Sequence, residues 1–185
     1  LVKKINLNSL YGAILNPGCR FFDIRIGQSV TLSGRCITKH MASKVNEIVA
    51  GKYDHKGESV VYGDTDSVYF SAYNTLQKEI TDKTIPWTKE SVVALYDKIS
   101  DEVNSSFKAF MTKAFHCPST RGEVIAAGRE LVASKGLFIT KKRYALLYYD
   151  KEGNRTDVEG KEGKMKAMGL DLKRSDTPVF VQDFL

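Results

Sequence analysis

No stretch of this chain approaches the ~18 consecutive apolar residues that a membrane-crossing helix requires, and no basic-then-apolar segment of signal-peptide type opens it. Cysteine is scarce. Cys19, Cys36 and Cys117 are an odd number without ligand-like spacing, so they offer no disulfide framework and suit a reducing, cytoplasmic compartment. Cys36 and His40 stand four apart, as two zinc ligands on a helix do, but no second pair accompanies them. His116 beside Cys117 is no better supplied. Internal repeats and low-complexity tracts are missing as well, which argues against a repeat architecture.

What is present is the composition of a globular domain: 185 residues, 42% hydrophobic and 27% charged, enough for one real core. The net charge of +6 is unevenly laid out. Residues 1–50 carry seven Lys and Arg against two acids, residues 51–134 ten against twelve, and residues 135–174 eleven against six. Two basic blocks thus flank an acidic middle, which suits a polyanion-binding surface around an acidic centre and equally two solvated basic faces. The chain also reads as cut from something larger. It starts at Leu1 inside a helical pattern, and Thr177 is placed to cap a helix with Pro178 at its first position just before the sequence stops.

Apolar residues at 7, 10, 11 and 14 predict a first helix ended by "NPG" at 16–18. A long helix is expected from about Ile24 to Val49, with Val30, Ile37, Met41, Val45 and Ile48 on one stripe. Strands at 59–62 and 67–73 enclose a tight turn. A second long helix is predicted to start at the N-cap Thr88, with Trp87 stapled onto Val92 and a stripe through Tyr96, Ile99, Val103, Phe107, Phe110 and Ala114. Strands at 123–127, 136–140 and 143–149 follow, then a "DKEGN" turn into a short return strand. Two long helices with five or six largely antiparallel strands make this an α+β chain.

The stretch "SVVYGDTDSVYF" at 59–70 sets Asp64 and Asp66 two residues apart between β-rich runs. Converging carboxylates raise one another's proton affinity unless a cation lies between them, and their hard oxygens suit Mg²⁺, often held by one or two carboxylates plus substrate phosphates. A plain polar turn is the alternative, since Gly and Asp are turn residues anyway. Upstream, Lys4, Asn8 and Tyr11 fall at i, i+4 and i+7, on one helix face that can offer an ammonium to a triphosphate and a flat ring to a base pair. Downstream, "TKKRYAL" at 140–146 places three cations beside a phenol. Such a group can bind phosphates and reach a minor groove, where readout is tolerant of sequence.

Taken in order, these motifs resemble those of family B DNA polymerases, with the flavour of tailed-phage enzymes. "VVYGDTDSVYF" resembles the palm hairpin that presents metal-binding aspartates, and "KINLNSLYG" the fingers-helix motif. "TKKRYAL" resembles the palm motif that grips the primer–template duplex, and "KMKAMGLDLKRSDTP" at 164–178 the passage from palm to thumb. The segment from Thr75 to Pro118 matches nothing usable and reads as scaffold. The resemblance implies the end of a fingers helix at 1–15, the C-terminal part of a palm at 16–176 with its catalytic hairpin at 59–73, and the start of a thumb at 177–185. It implies template-directed DNA synthesis in viral replication with two Mg²⁺ ions, Asp66 as a ligand of both and Asp64 as a weaker ligand. Lys4, Asn8 and Tyr11 would bind the nucleotide. Lys141, Lys142, Arg143 and Tyr144 would bind DNA, with Lys142 in the minor groove. Primer–template DNA and deoxynucleoside triphosphates are the implied partners, with a sliding clamp through regions outside this sequence. For a phage protein the implied location is the host cytoplasm.

The resemblance also implies a further metal-binding aspartate upstream of the fingers. Its motif is not in this sequence, so these 185 residues alone are expected not to extend a primer. Two other readings stay open. Reverse-transcriptase palms carry adjacent aspartates, unlike the Asp-Thr-Asp here. A non-catalytic nucleic-acid-binding module would use the basic faces and leave the aspartates idle.

Overall fold

A computed structural model describes residues 2–158, 160–170 and 178. The chain runs α1 (Val2–Leu15), α2 (Ile24–Ala50), β1 (Val60–Asp64), β2 (Ser67–Phe70), α3 (Gln77–Thr81), α4 (Lys89–Phe115), α5 (Ser119–Gly122), β3 (Leu131–Thr140), β4 (Arg143–Lys151), β5 (Asn154–Arg155) and β6 (Lys164–Met168). It is an α+β fold. Every strand pairing is antiparallel: β1 with β2, and β4 with β3, β5 and β6.

The long helices begin where side chains can satisfy their first amides. Asp23 accepts from the Arg25 N–H at the start of α2, and the Arg25 guanidinium clasps the same carboxylate, holding its pKa down at about 2. Thr88 caps α4 in a reciprocal box, its hydroxyl receiving the Ser91 N–H while the Ser91 hydroxyl receives the Thr88 N–H. Trp87 then packs against the cluster of Val92, Val132 and Tyr149, as the stapled start predicted.

A second cluster forms where Val45 of α2 meets Ile99, Val103 and Phe107 of α4, with Phe70 and Val60 of the hairpin laid against it. Both predicted stripes lose an end. Val30 is 54% exposed and Ala114 is exposed. The α1 face through Leu7 and Leu10 is exposed as well, and α1 buries no residue.

The expected strand at 123–127 is absent. Glu123 closes the turn of α5, and the stretch after it runs without ladder bonds along α4. There Asn104 takes over the pairing that a strand would supply: its Oδ1 accepts the Ala127 N–H at 2.7 Å and its Nδ2 donates to the Ala127 carbonyl at 2.9 Å. The strand begins at Leu131 instead, five residues earlier than the predicted 136. The second hairpin strand ends at Phe70 and not at 73, because the Tyr96 hydroxyl accepts the Ala72 N–H and the Ala72 carbonyl opens a helical turn to Leu76. The capping Thr177 and most of the palm-to-thumb passage lie outside the described residues.

The loop entering the hairpin is pinned from beneath. Buried Asn46 of α2 donates to the Asp54 carbonyl and accepts the Ser59 N–H. Its amide fills the space a side chain at position 57 would need, so Gly57 stands there. On the far side, buried Asp150 of β4 accepts from Arg129 at 2.5 Å, and Arg129 also pairs with Asp97 of α4. Arg155, Asp157, Lys89 and Glu90 form an ion-pair group that ties the β5 hairpin to the start of α4. The bonds from Arg155 and Lys89 hold the Asp157 carboxyl well below the usual range.

Candidate metal-binding turn and nucleic-acid interface

Asp64 ends β1 opposite Ser67, so Thr65 and Asp66 alone make the turn. Thr65 has φ +37°, a left-handed conformation that a β-branched residue enters at a cost of about 1–3 kcal/mol. It is held there by Thr38 of α2, whose hydroxyl donates to the Thr65 carbonyl at 2.8 Å. The Asp64 carboxylate is half-buried and receives the Thr65 hydroxyl. The Asp66 carboxylate is exposed and has no partner among the described residues. It borders a cleft of about 580 Å³ between β2 and β3, whose apolar floor includes Met41 and Val103. Among the described residues, no group of three or more His, Cys, Asp or Glu side chains is gathered to hold a metal. Two carboxylates, one free and one lightly engaged, are a hard-oxygen donor set of the kind that Mg²⁺ takes together with substrate phosphates.

The basic motif lies next to this turn. Lys141 and Lys142 form the bend between β3 and β4, with Lys142 at φ +62°, and both side chains are exposed. The Lys142 N–H donates to the Tyr62 hydroxyl of the hairpin at 2.8 Å. Gly169, just past β6, comes so close to the Lys142 carbonyl that a Cβ there would meet it at 2.2 Å; Arg143 donates to the Gly169 carbonyl. Tyr144 faces inward. Its ring is 5% exposed and its hydroxyl meets that of Tyr69 at 2.9 Å. It lies behind the basic surface instead of on it. Burial, then the Tyr144 hydroxyl, pushes the Tyr69 phenol well above the usual range.

Lys4, Asn8 and Tyr11 project from α1, and none of their side chains makes a hydrogen bond or ion pair among the described residues. The structure packs α1 against α2. It also fixes the root of their helix, since the Asp23 N–H donates to the Ile14 carbonyl. His40 is spoken for structurally. Its ring stacks on Phe110 at 4.0 Å, with its nitrogens against the Tyr53 and Ser106 hydroxyls, while Cys36 is exposed.

The sequence model for DNA polymerase family B matches residues 1–114, which include the fingers-like helix, the aspartate hairpin and all but the last residue of α4. The chain belongs to DNA polymerase family B. The 75–118 scaffold, left unmatched by short motifs, is therefore largely family B sequence too. The basic turn lies beyond the matched span but within the similarity to whole relatives. Over 99% of its length the chain is 33% identical to the DNA-directed DNA polymerase of Escherichia phage RB69, and over 100% it is 30% identical to that of Enterobacteria phage T4. DNA polymerase II of Escherichia coli is 25% identical over 98% of the chain. The phage likeness read from the motifs is thus matched by whole-length similarity. The chain spans about a fifth of these relatives, 21%, 21% and 20% of their lengths. No helix among the described residues is long and apolar enough to cross a membrane.

Proposed function

We propose that this chain is the C-terminal part of the palm, with the end of the fingers helix at 1–15 and the first thumb residues at 177–185, of a phage-type DNA polymerase. That enzyme extends a primer on a template with deoxynucleoside triphosphates during viral DNA replication in the host cytoplasm. The observation that carries the reading is the free Asp66 carboxylate on a braced turn, set beside an exposed Lys-Lys-Arg turn on the next hairpin. Asp66 is the principal metal ligand and Asp64 the weaker one. Mg²⁺ bound there supplies charge stabilisation to the attacking and leaving oxygens of phosphoryl transfer. Lys4 offsets triphosphate charge, and Asn8 and Tyr11 border the new base pair. Lys141, Lys142 and Arg143 hold the duplex through phosphates and the minor groove. A sliding clamp, where the polymerase uses one, engages regions outside this chain.

The test is made in the full-length polymerase. Asp66→Asn keeps the shape and removes the charge, so kcat is expected to fall by at least ~10³, on the scale of losing a main electrostatic stabiliser. Duplex affinity stays within a few-fold. A smaller loss for Asp66→Asn than for Asp64→Asn reverses the ligand assignment. Full extension by both variants leaves only the second reading, a nucleic-acid-binding module without chemistry.

A further inference from the structure

Four rings stand between the aspartate turn and the basic turn, and the proposed metal and duplex roles leave them without a task. Tyr62 and Tyr69 are a cross-strand pair of the β1–β2 hairpin, and Phe138 and Tyr144 are a cross-strand pair of β3–β4. All six pairs among them have ring centroids 5.4–5.8 Å apart. Two polar bonds cross the same boundary: Tyr62 hydroxyl to Lys142 N–H, and Tyr69 hydroxyl to Tyr144 hydroxyl. Ring packing alone is non-directional and permits sliding. The two hydroxyl bonds fix register and angle, because a hydrogen bond weakens steeply away from its geometry.

The placement of these bonds matters more than their number. Tyr62 lies two residues before Asp64, and its hydroxyl holds the backbone of Lys142, the residue at the tip of the basic turn. Tyr69 lies three residues after Asp66 and holds Tyr144, two residues after Lys142. The aspartate turn is therefore bonded to the other hairpin from both its flanks, and the basic turn at its tip and at the flank that follows. Thr38 also braces the aspartate turn, and Gly169 lies against the basic turn.

Resting on the proposed polymerase function, we propose that Tyr62, Tyr69 and Tyr144 are positioning residues that lock the aspartate turn to the duplex-holding turn. A primer end whose minor groove is distorted displaces the Lys142 turn and, through these bonds, the metal-binding carboxylates. The device favours extension of correctly paired ends. Misplacement of reacting groups by as little as about 1 Å can cost ~10²-fold in rate, so a lock with less than that tolerance is kinetically useful.

The experiment uses the full-length polymerase with Tyr62→Phe, Tyr69→Phe, Tyr144→Phe and the Tyr69→Phe/Tyr144→Phe double variant. Measured are kcat, KM for the triphosphate, primer–template Kd, Tm, and the ratio of extension from matched and mispaired ends. Tyr62→Phe frees an N–H on an exposed residue that water can take up, so Tm stays at the parental value. Its kcat is expected to fall on the order of tenfold, with KM and Kd within about two-fold. Tyr69→Phe leaves the buried Tyr144 hydroxyl unpaired and lowers Tm; Tyr144→Phe leaves the half-buried Tyr69 hydroxyl with Ser67 alone and lowers Tm less; the double variant removes both hydroxyls and restores Tm. The lock predicts that kcat and end discrimination stay low in the double variant although Tm recovers. Recovery of kcat together with Tm, or a parental kcat and end ratio in Tyr62→Phe, overturns the proposal and leaves the rings as packing. Asp66→Asn run alongside reports separately on the polymerase reading, since its failure to lower kcat rejects the site itself.

Discussion

Helices α2 and α4 have the same length, 27 residues, and both carry an apolar stripe, but they are covered differently. In α4 the buried positions run from Val92 near its start to Phe107, because both sheets and α2 lie against it. In α2 they cluster between His40 and Asn46, apart from Gly27, while Ile24, Ile26, Val30 and Leu32 are each about half exposed. The neighbouring α1 buries nothing. Helical periodicity says which side chains can be buried together; what covers them depends on where the other elements pass. The aspartate turn is held by Thr38 of α2, and the proposed nucleotide residues lie on α1, which buries nothing.

Stability should follow this division most strongly. Phe107→Ala empties a site that is 1% exposed between α2 and α4, and should destabilise the chain by about 3–5 kcal/mol in denaturant unfolding. Leu10→Ala, at a residue 57% exposed, should change it by less than about 0.5 kcal/mol. Comparable losses at the two positions would break the comparison.

Activity should not follow that division. Lys4→Ala in the full-length polymerase is expected to lower kcat/KM for the triphosphate by about 10², as losing one charged transition-state contact does. Its unfolding midpoint should not move. A matching drop in stability would mean that α1 is a packed element after all.

A smaller effect concerns His40, in the covered half of α2. Burial, reinforced by the Lys44 charge, lowers its pKa below the ordinary 6.5. A group depressed in the folded state stabilises fully above its unfolded pKa, and that stability is lost as pH falls through the folded value. Unfolding free energy should therefore decline as the solution is acidified below about 6.5. His40→Gln should remove that part of the slope. A slope that the substitution leaves untouched would assign the acid sensitivity to the carboxylate pairs instead.

The mildest test lies on the basic turn. Each phosphate contact removed should flatten the dependence of log K on log[salt] by ~0.9. Lys141→Ala should show this in the full-length polymerase. Lys142→Ala should weaken extension more than it alters the slope if its side chain enters the groove. Parental affinity and slope in both would make this turn a solvated edge.

Local chemistry made much of this legible beforehand. The capped start at Thr88, the two long helices, the hairpin around Asp64 and Asp66 and the return strand after "DKEGN" follow from caps, periods and turn residues within a few positions of one another. The strand placed at 123–127 failed for a tertiary reason: Asn104, more than twenty residues away, satisfies that backbone from a helix. The family motifs stood out because metal-binding and phosphate-binding groups must sit at fixed short spacings. The role of Tyr144 was not readable in that way. A tyrosine beside three cations looks like part of their surface, and only its bond to Tyr69, 75 residues away in sequence, turns it inward. The sequence by itself thus determined which groups could meet a metal, a nucleotide or a phosphate, since those abilities belong to side chains and their near neighbours. The tertiary structure alone decided which apolar faces are covered and how the two turns are joined, because such contacts exist only once distant strands are brought together.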